Sequence, residues 1–350
     1  MTGRRPHLPR RAWAAMAVGT ALLAAACSSG TGATAADRAG ATPPPTGPSG
    51  AVDAGTGSPT ATAAPAPPPT APTGAVPASA PTTAPDAAPV PDSPQALAVE
   101  LTRVETELGR ADLTEAGAAP WGRRQQVLYL VLSSNPGWAP EVTAAVGEAV
   151  RPVVELNWEA RRNLSALVNS EKLADTVPAW DIGAPRPADE LLGYYREAAE
   201  ATGVPWEVLA AINLVESRMG RIRGLSTAGA VGPMQFLPST WSGCCAGDPT
   251  VDRDAIIGAA TYLKQRGALT DLDRAIHGYN NSDHYVRAVR AYADTLVTAP
   301  GRYYGYHAWE VLFLSSVGLL RIPQGYHQAE PVDAATWLSQ HPDAFVAEHA

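Results

Sequence analysis

Basic residues are in short supply, with 26 lysines and arginines against 34 aspartates and glutamates and a formal charge of −8. Nucleic-acid-binding surfaces carry a basic footprint, and this balance offers no support for one. No apolar run is long enough to read as a membrane-crossing helix; the longest candidate, Ala12 to Ala26, is too short. Cysteine is scarce. Only Cys27, Cys244 and Cys245 are present, and their spacing from His277 and His284 is not that of a zinc site. No metal and no other cofactor is expected. Ser217 has no histidine and aspartate spaced as a covalent-nucleophile triad. Between Ser28 and about Pro94 large apolar side chains are nearly absent, and Ala, Pro, Thr, Gly and Ser dominate. Such a stretch has little with which to build a core and reads as a disordered, partly extended tether.

The start of the chain has the order of an export signal. Arg4, Arg5, Arg10 and Arg11 precede the apolar stretch, which ends in small residues before Cys27. The run Leu-Leu-Ala-Ala-Ala-Cys resembles a bacterial lipoprotein processing site, with Cys27 as the lipidated residue; ordinary secretion and a buried Cys27 are the competing readings. The expected organisation is a signal peptide over 1–26 and a lipidated end with a tether over 27–94. A helical region over 95–180, a second helical domain over 189–298 and a small aromatic-rich extension over 301–350 follow. The membrane is then a partner through the N-terminal lipid, and the folded part works outside the cell membrane, reaching toward a cell wall.

Helical signals begin at Ser93-Pro94, with Leu97, Leu101, Val104 and Leu108 at helical spacing and Gly109 as a stop. Gln125 to Leu132 reads as a second helix. A third is expected from Pro140 to about Val168, bent near Pro152. Trp121, Trp138 and Trp158 are expected to fill gaps between helices. This region either stands alone as a small domain or completes a substrate groove. Farther on, Gly203, Asp252, Gly267, Thr270 with Asp273, and Ser282 punctuate a second helical series. Val311 to Ser315 and Gly318 to Ile322 read as a hairpin, and Val332 to Leu338 as a short helix. Tyr303, Tyr304, Tyr306 and Trp309 crowd ahead of that hairpin and suit packing, with sugar binding as the alternative.

The most informative stretch is Val204 to Ile222, VPWEVLAAINLVESRMGRI. Val208, Ile212, Val215 and Met219 recur at helical spacing, and Gly220 is a plausible stop. Glu216 lies four residues after Ile212, near the apolar face. A carboxylate there would be partly desolvated and would hold its proton near neutral pH. A surface glutamate paired with Arg218 or Arg221 fits the spacing as well.

Downstream residues carry a resemblance. Glu216-Ser217 is followed by STAGAVGPMQFLPSTW, Ser226 to Trp241, and then by Gly278-Tyr279-Asn280. This order resembles the soluble-lytic-transglycosylase type of peptidoglycan-cleaving domain, and more closely the actinobacterial relatives of the membrane-bound lytic murein transglycosylase B type. The likeness runs from about Asp189 to Ala293. The family often has Ala where this chain has Gly278, which lowers local rigidity and removes no reactive group. The resemblance implies a mainly α fold: a lysozyme-like helical domain flanked by the N-terminal helical region and a small β-containing extension. It implies cleavage of peptidoglycan glycan strands between N-acetylmuramic acid and N-acetylglucosamine, with a 1,6-anhydro product. Glu216 would be the acid and then the base, with Ser217, Tyr279 and Asn280 in support. Met234, Gln235, Gly232 and Tyr262 would lie on the substrate side. Gly229 and Gly232 suit either close approach of the glycan or turn geometry. Asp248, Asp252, Asp254, Asp271 and Asp283 keep a two-carboxylate hydrolase open, and a non-enzymatic wall-binding scaffold is the third reading.

Cys244 and Cys245 are adjacent in an exported chain, where disulfides are permitted. A bond between neighbours would be a local clamp, with free thiols or an intermolecular link as alternatives. For Cys27, mass measurement of the mature N-terminus is the test. A lipidated cysteine as first residue is expected, and an unmodified end or retained residues ahead of Cys27 would contradict it.

Overall fold

The computed structural model describes residues 85–168, 173–226 and 228–347. The expected signal peptide, Cys27 and most of the expected tether lie outside the described residues. Among the described residues there are twelve α-helices and seven short strands. The fold is mainly helical, as expected, with a small β-containing part near the C-terminus.

Helix α1, Pro94–Leu108, starts where the sequence placed it. Ser93 accepts a hydrogen bond from the Ala96 N–H, Pro94 takes the first position, and Gly109 closes the end. Helix α2, Glu115–Ser134, is longer than expected. Pro120 lies inside it, and Thr114 caps it by accepting from Gly117. The single bent helix expected from Pro140 is two helices. α3, Ala139–Ala145, ends at Val146 in extended backbone, and α4, Arg151–Ala166, restarts with Pro152 in its first turn. A proline there lacks only an N–H that would have no helical partner, so it begins a helix rather than bending one.

Leu97, Leu101, Leu108, Leu128, Leu132 and Val142 form one buried cluster, with Trp121, Trp138 and Trp158 packed against it. The tryptophans therefore fill gaps. Helix α4 joins this cluster through Val154 and the larger central core through Ala160 and Leu164. Buried Glu105 accepts from Tyr129 and Gln125 of α2 and faces the Arg302 guanidinium at 3.1 Å. The N-terminal helices and the rest of the described fold thus share both apolar core and buried ion pair. The end of the expected tether is held as well. Arg123 pairs with Asp86, and Arg124 donates to the carbonyls of Ala88 and Pro89.

The second series comprises α5 (Ala188–Thr202), α6 (Trp206–Ser217), α7 (Pro238–Cys244), α8 (Asp252–Gln265), α9 (Leu272–Tyr279), α10 (Asp283–Thr298) and α11 (Arg302–His307). Gly203 ends α5 with φ 82°, a left-handed position that glycine takes without penalty. Ser282 caps α10 as expected. Asp252 is the first residue of α8 rather than its cap, and Asp271, not Thr270, caps α9 by accepting from Arg274. Tyr303, Tyr306 and Trp309 are buried in the central core, which assigns them to packing.

The expected hairpin is present. β4 (Val311–Ser315) pairs antiparallel with β5 (Gly318–Ile322), Phe313 opposite Leu320, and β7 (Phe345–Ala347) adds a third strand. Two short pairs tie it to the rest. β1 (Thr176–Val177) pairs with β6 (Val332–Asp333), and β2 (Asp181–Ile182) with β3 (Ile222–Arg223). Helix α12, Ala334–Gln340, follows β6. Trp180, Ile182, Ile222, Phe313, Leu320 and Trp337 share one cluster beneath these strands. A two-stranded piece is marginal alone; here the third strand and this apolar cluster give it a surface. β3 lies five residues beyond α6, so the sheet fixes the chain just after the candidate catalytic residue.

Candidate active site

Helix α6 is buried all round. Every residue from Val208 to Ser217 is inaccessible or nearly so, which marks a helix enclosed by others rather than one with a single apolar stripe. It ends at Ser217, earlier than the expected Gly220. Arg218, Met219 and Gly220 follow with φ of 55°, 59° and 78°. Two non-glycine residues in succession in the left-handed region cost roughly 1–2 kcal/mol each, and such strain persists only where surroundings impose it.

Those surroundings are visible. Asn213 donates to the Pro233 carbonyl at 2.7 Å and to Ser217 Oγ at 3.1 Å. Ser217 donates to the same carbonyl at 2.5 Å and accepts from the Gly220 N–H. Tyr195 of α5 donates to Asn213 Oδ1. The end of α6 is thereby pinned to the segment carrying Pro233. That segment is a tight hairpin, Val231 and Phe236 exchanging both backbone hydrogen bonds across Gly232–Gln235. Phe236 packs edge-on against Trp241, Tyr262 and Tyr279, and Tyr279 donates to the Met234 carbonyl at 2.6 Å. Aromatic contacts thus hold the hairpin to α7, α8 and α9.

Glu216 sits between these pieces with 2 % of its surface exposed. Tyr285, in the first turn of α10, donates to its Oε1 at 2.5 Å. Burial disfavours the carboxylate and pushes the Glu216 pKa from 4.5 up to about 8, against which the Tyr285 hydrogen bond pulls it down. At neutral pH the acid form dominates, and with Oε1 accepting from Tyr285 the proton belongs on Oε2. Tyr285 and Tyr279 are both pushed well above the usual tyrosine range, first by burial and then by the nearby Glu216. They remain neutral donors.

Residues 193–299 match the model of the Transglycosylase SLT domain. That match supports, at the level of the family, a lytic transglycosylase acting on peptidoglycan, hence outside the cytoplasm. No curated protein and no solved structure matches the chain. Among the described residues no helix is long and apolar enough to cross a membrane.

Within the SLT segment the structure redistributes the expected roles. The alternative of a surface Glu216 paired with Arg218 or Arg221 is overturned by its burial and its tie to Tyr285. Ser217 bonds the Pro233 carbonyl, not the carboxyl group; it positions the helix end. Tyr279 is spent on the Met234 carbonyl. Met234 is itself 0 % exposed, so its side chain is core and does not line an open groove. The Gln235 amide donates to the Gly232 carbonyl and holds the turn. At Gly232, a Cβ would lie 1.8 Å from the Pro249 carbonyl oxygen, so its bareness serves chain-to-chain approach. Gly229 has open space around it and φ 78°, as a turn requires. Tyr262 donates to the Gly278 carbonyl and is stacked under Arg266. A methyl group at Gly278 would meet Arg266 at an ordinary 3.4 Å, so the departure from the family's Ala leaves this geometry intact. Asn280 ends α9, its N–H bonded to Ile276 and its carbonyl accepting from Ser282.

The other carboxylates are engaged elsewhere. Asp248 accepts from Thr250, Asp252 from Arg186, and Asp254 from the Asp248 N–H. Asp271 caps α9, and Asp283 faces His277. The sulfurs of Cys244 and Cys245 are bonded at the end of α7. His284 faces Asn163 at 2.9 Å. Tyr285 and Asn213 were not singled out from sequence, and Phe236 stood only within the Ser226–Trp241 stretch. Tyr285 had a signal, since it stands seven residues before Tyr292 and so shares its buried face.

Glu216 also links pH to stability. Below pH 4.5 it is protonated both folded and unfolded. From 4.5 to about 8 the unfolded chain ionises while the folded one does not, so this group's contribution to stability falls as pH rises, by about 1 kcal/mol per unit, and levels above 8. Glu216→Gln removes that slope. Denaturant unfolding should find the variant close to wild type at pH 4.5 and increasingly more stable toward pH 8. Tyr285→Phe, losing the hydrogen bond that favours the carboxylate, should extend the sloping range to higher pH. Parallel wild-type and E216Q profiles would contradict both expectations.

Proposed function

We propose that this protein is a peptidoglycan lytic transglycosylase that cleaves the β-1,4 linkage between N-acetylmuramic acid and N-acetylglucosamine and leaves a 1,6-anhydromuramic end. The observation that carries the reading is Glu216, an acid form held at neutral pH by burial and oriented by one phenol. Its Oε2 proton passes to the leaving glycosidic oxygen as the C1–O bond breaks. The carboxylate so formed takes the proton of the sugar's own C6 hydroxyl, whose oxygen closes onto C1. No water is consumed and no second carboxylate is needed, because proximity makes the hydroxyl an effective nucleophile. Tyr285 holds the carboxyl orientation through both protonation states and steadies the transient charge. Asn213, Ser217 and Pro233 fix the end of α6 so that the carboxyl group does not swing. The chain fits an actinobacterial-type lipoprotein, anchored through Cys27 and reaching the wall on its Ala- and Pro-rich tether.

Purified glycan strands given to wild type and E216Q, with the new ends analysed by mass spectrometry, test the reading. Anhydro ends from wild type and a loss on the order of 10²-fold or more in E216Q are expected. A reducing, water-added end would make the protein a hydrolase. Glycan binding without cleavage would make it a scaffold, and undiminished cleavage by folded E216Q would remove Glu216 from the mechanism.

A further inference from the structure

Away from Glu216 the surface carries an open pocket of about 340 Å³. One wall is a face of α2 bearing Glu115 and Arg123; Pro185 and Pro187 of the segment before α5 form another, and Arg221 and His307 complete it. Neither the hairpin at Gly232–Gln235 nor α10 contributes to its lining.

The charged groups around this pocket are unevenly satisfied. Arg123 is neutralised by Asp86. Glu115 accepts from the Ala188 N–H at 3.0 Å and lies 3.4 Å from His307 Nδ1. His307 reaches the Arg186 carbonyl through Nε2 at 2.9 Å, and burial lowers its pKa, so it adds no charge at neutral pH. Glu310, the acid that acts most on Arg221, is itself paired with Arg321 at 3.1 Å. Arg221 remains. Its Nη1 is buried and has no hydrogen-bond partner. Burial lowers its pKa to about 10, which leaves it charged at neutral pH. A desolvated guanidinium edge is a strong, directional donor to a carboxylate. The proline and alanine part of the lining suits a short aliphatic or peptide body.

We propose that this pocket is a binding site for a carboxylate-bearing amino acid or short peptide, with the ligand's carboxylate on Arg221. The peptide stems of peptidoglycan would supply such a group, and that source rests on the function proposed above. A free amino acid presents the same chemistry. Glu115, also in the lining, suits the ammonium or amide N–H of either.

Calorimetry on the Glu216→Gln protein tests this without turnover, so a failed cleavage assay and a failed binding assay remain separate results. The probes are a muramoyl dipeptide with a free terminal carboxylate, the same compound with that terminus amidated, and D-alanine. The carboxylate dipeptide is expected to bind at least tenfold more tightly than its amide. Adding Arg221→Gln should weaken the acid at least tenfold and leave the amide unchanged. D-Alanine binding as tightly as the dipeptide would keep the site and assign it to free amino acids. Equal affinity for acid and amide, undiminished binding in the double variant, or no binding of either acid would overturn the proposal. The acid–amide comparison needs no change at Arg221 and stays decisive if the double variant does not fold.

Discussion

Placing a carboxyl group at the end of an enclosed helix, with one phenol hydroxyl as its partner, is the constraint on which the rest depends. Burial favours the proton and Tyr285 favours its loss, and the balance leaves the group an acid at neutral pH. A cation beside Glu216 would reverse that balance. The Arg218 guanidinium is instead turned back on its own helix, donating to the Leu214 carbonyl. An acid that must also recover a proton needs such a midpoint, because one pinned as a carboxylate could not donate and one far more basic would be slow to release.

Holding the carboxyl group still is the second demand. Helix α6 is enclosed on all sides, and its small residues Ala210 and Ala211 let neighbouring helices close over it. The strain at Arg218 and Met219 is the counterpart of that enclosure: the chain must reverse within three residues to reach β3, where Ile222 pairs with Ile182. Ser217 and Asn213 oppose the strain by sharing the Pro233 carbonyl. Changes in the hairpin can therefore reach Glu216 without touching it, since Phe236, Tyr279 and Pro233 belong to one packed unit.

Much of this was legible in the sequence. The caps at Ser93 and Ser282, the stops at Gly109 and Gly203 and the hairpin at Val311–Ile322 are local signals, and local chemistry decided them. Pro152 misled, because a proline's meaning depends on where in a helix it falls. The third strand, Phe345–Ala347, pairs with β5 across the intervening β6 and α12 and leaves no short-range trace. At the site, Glu216 could be placed near an apolar face. That the other faces are buried too depends on which helices cover them. The expected substrate-side residues have a structural use that spacing did not show. Met234, Gln235, Gly232 and Tyr262 sit in the right segment, but their side chains, or the lack of one, are used to build the hairpin. Tyr285, which touches the carboxyl group, comes from a helix about seventy residues away, a pairing that spacing does not encode.

Direct titration of Glu216 tests the central claim most sharply. Carbon-13 NMR of protein labelled at glutamate carboxyls, with the Glu216 resonance assigned by its absence in E216Q, reads the midpoint without relying on activity. A midpoint near 8, moving higher in Tyr285→Phe, is the result the account requires. A midpoint near the ordinary glutamate value of about 4.3 would contradict it, since Glu216 would then be a carboxylate at neutral pH with no proton to give.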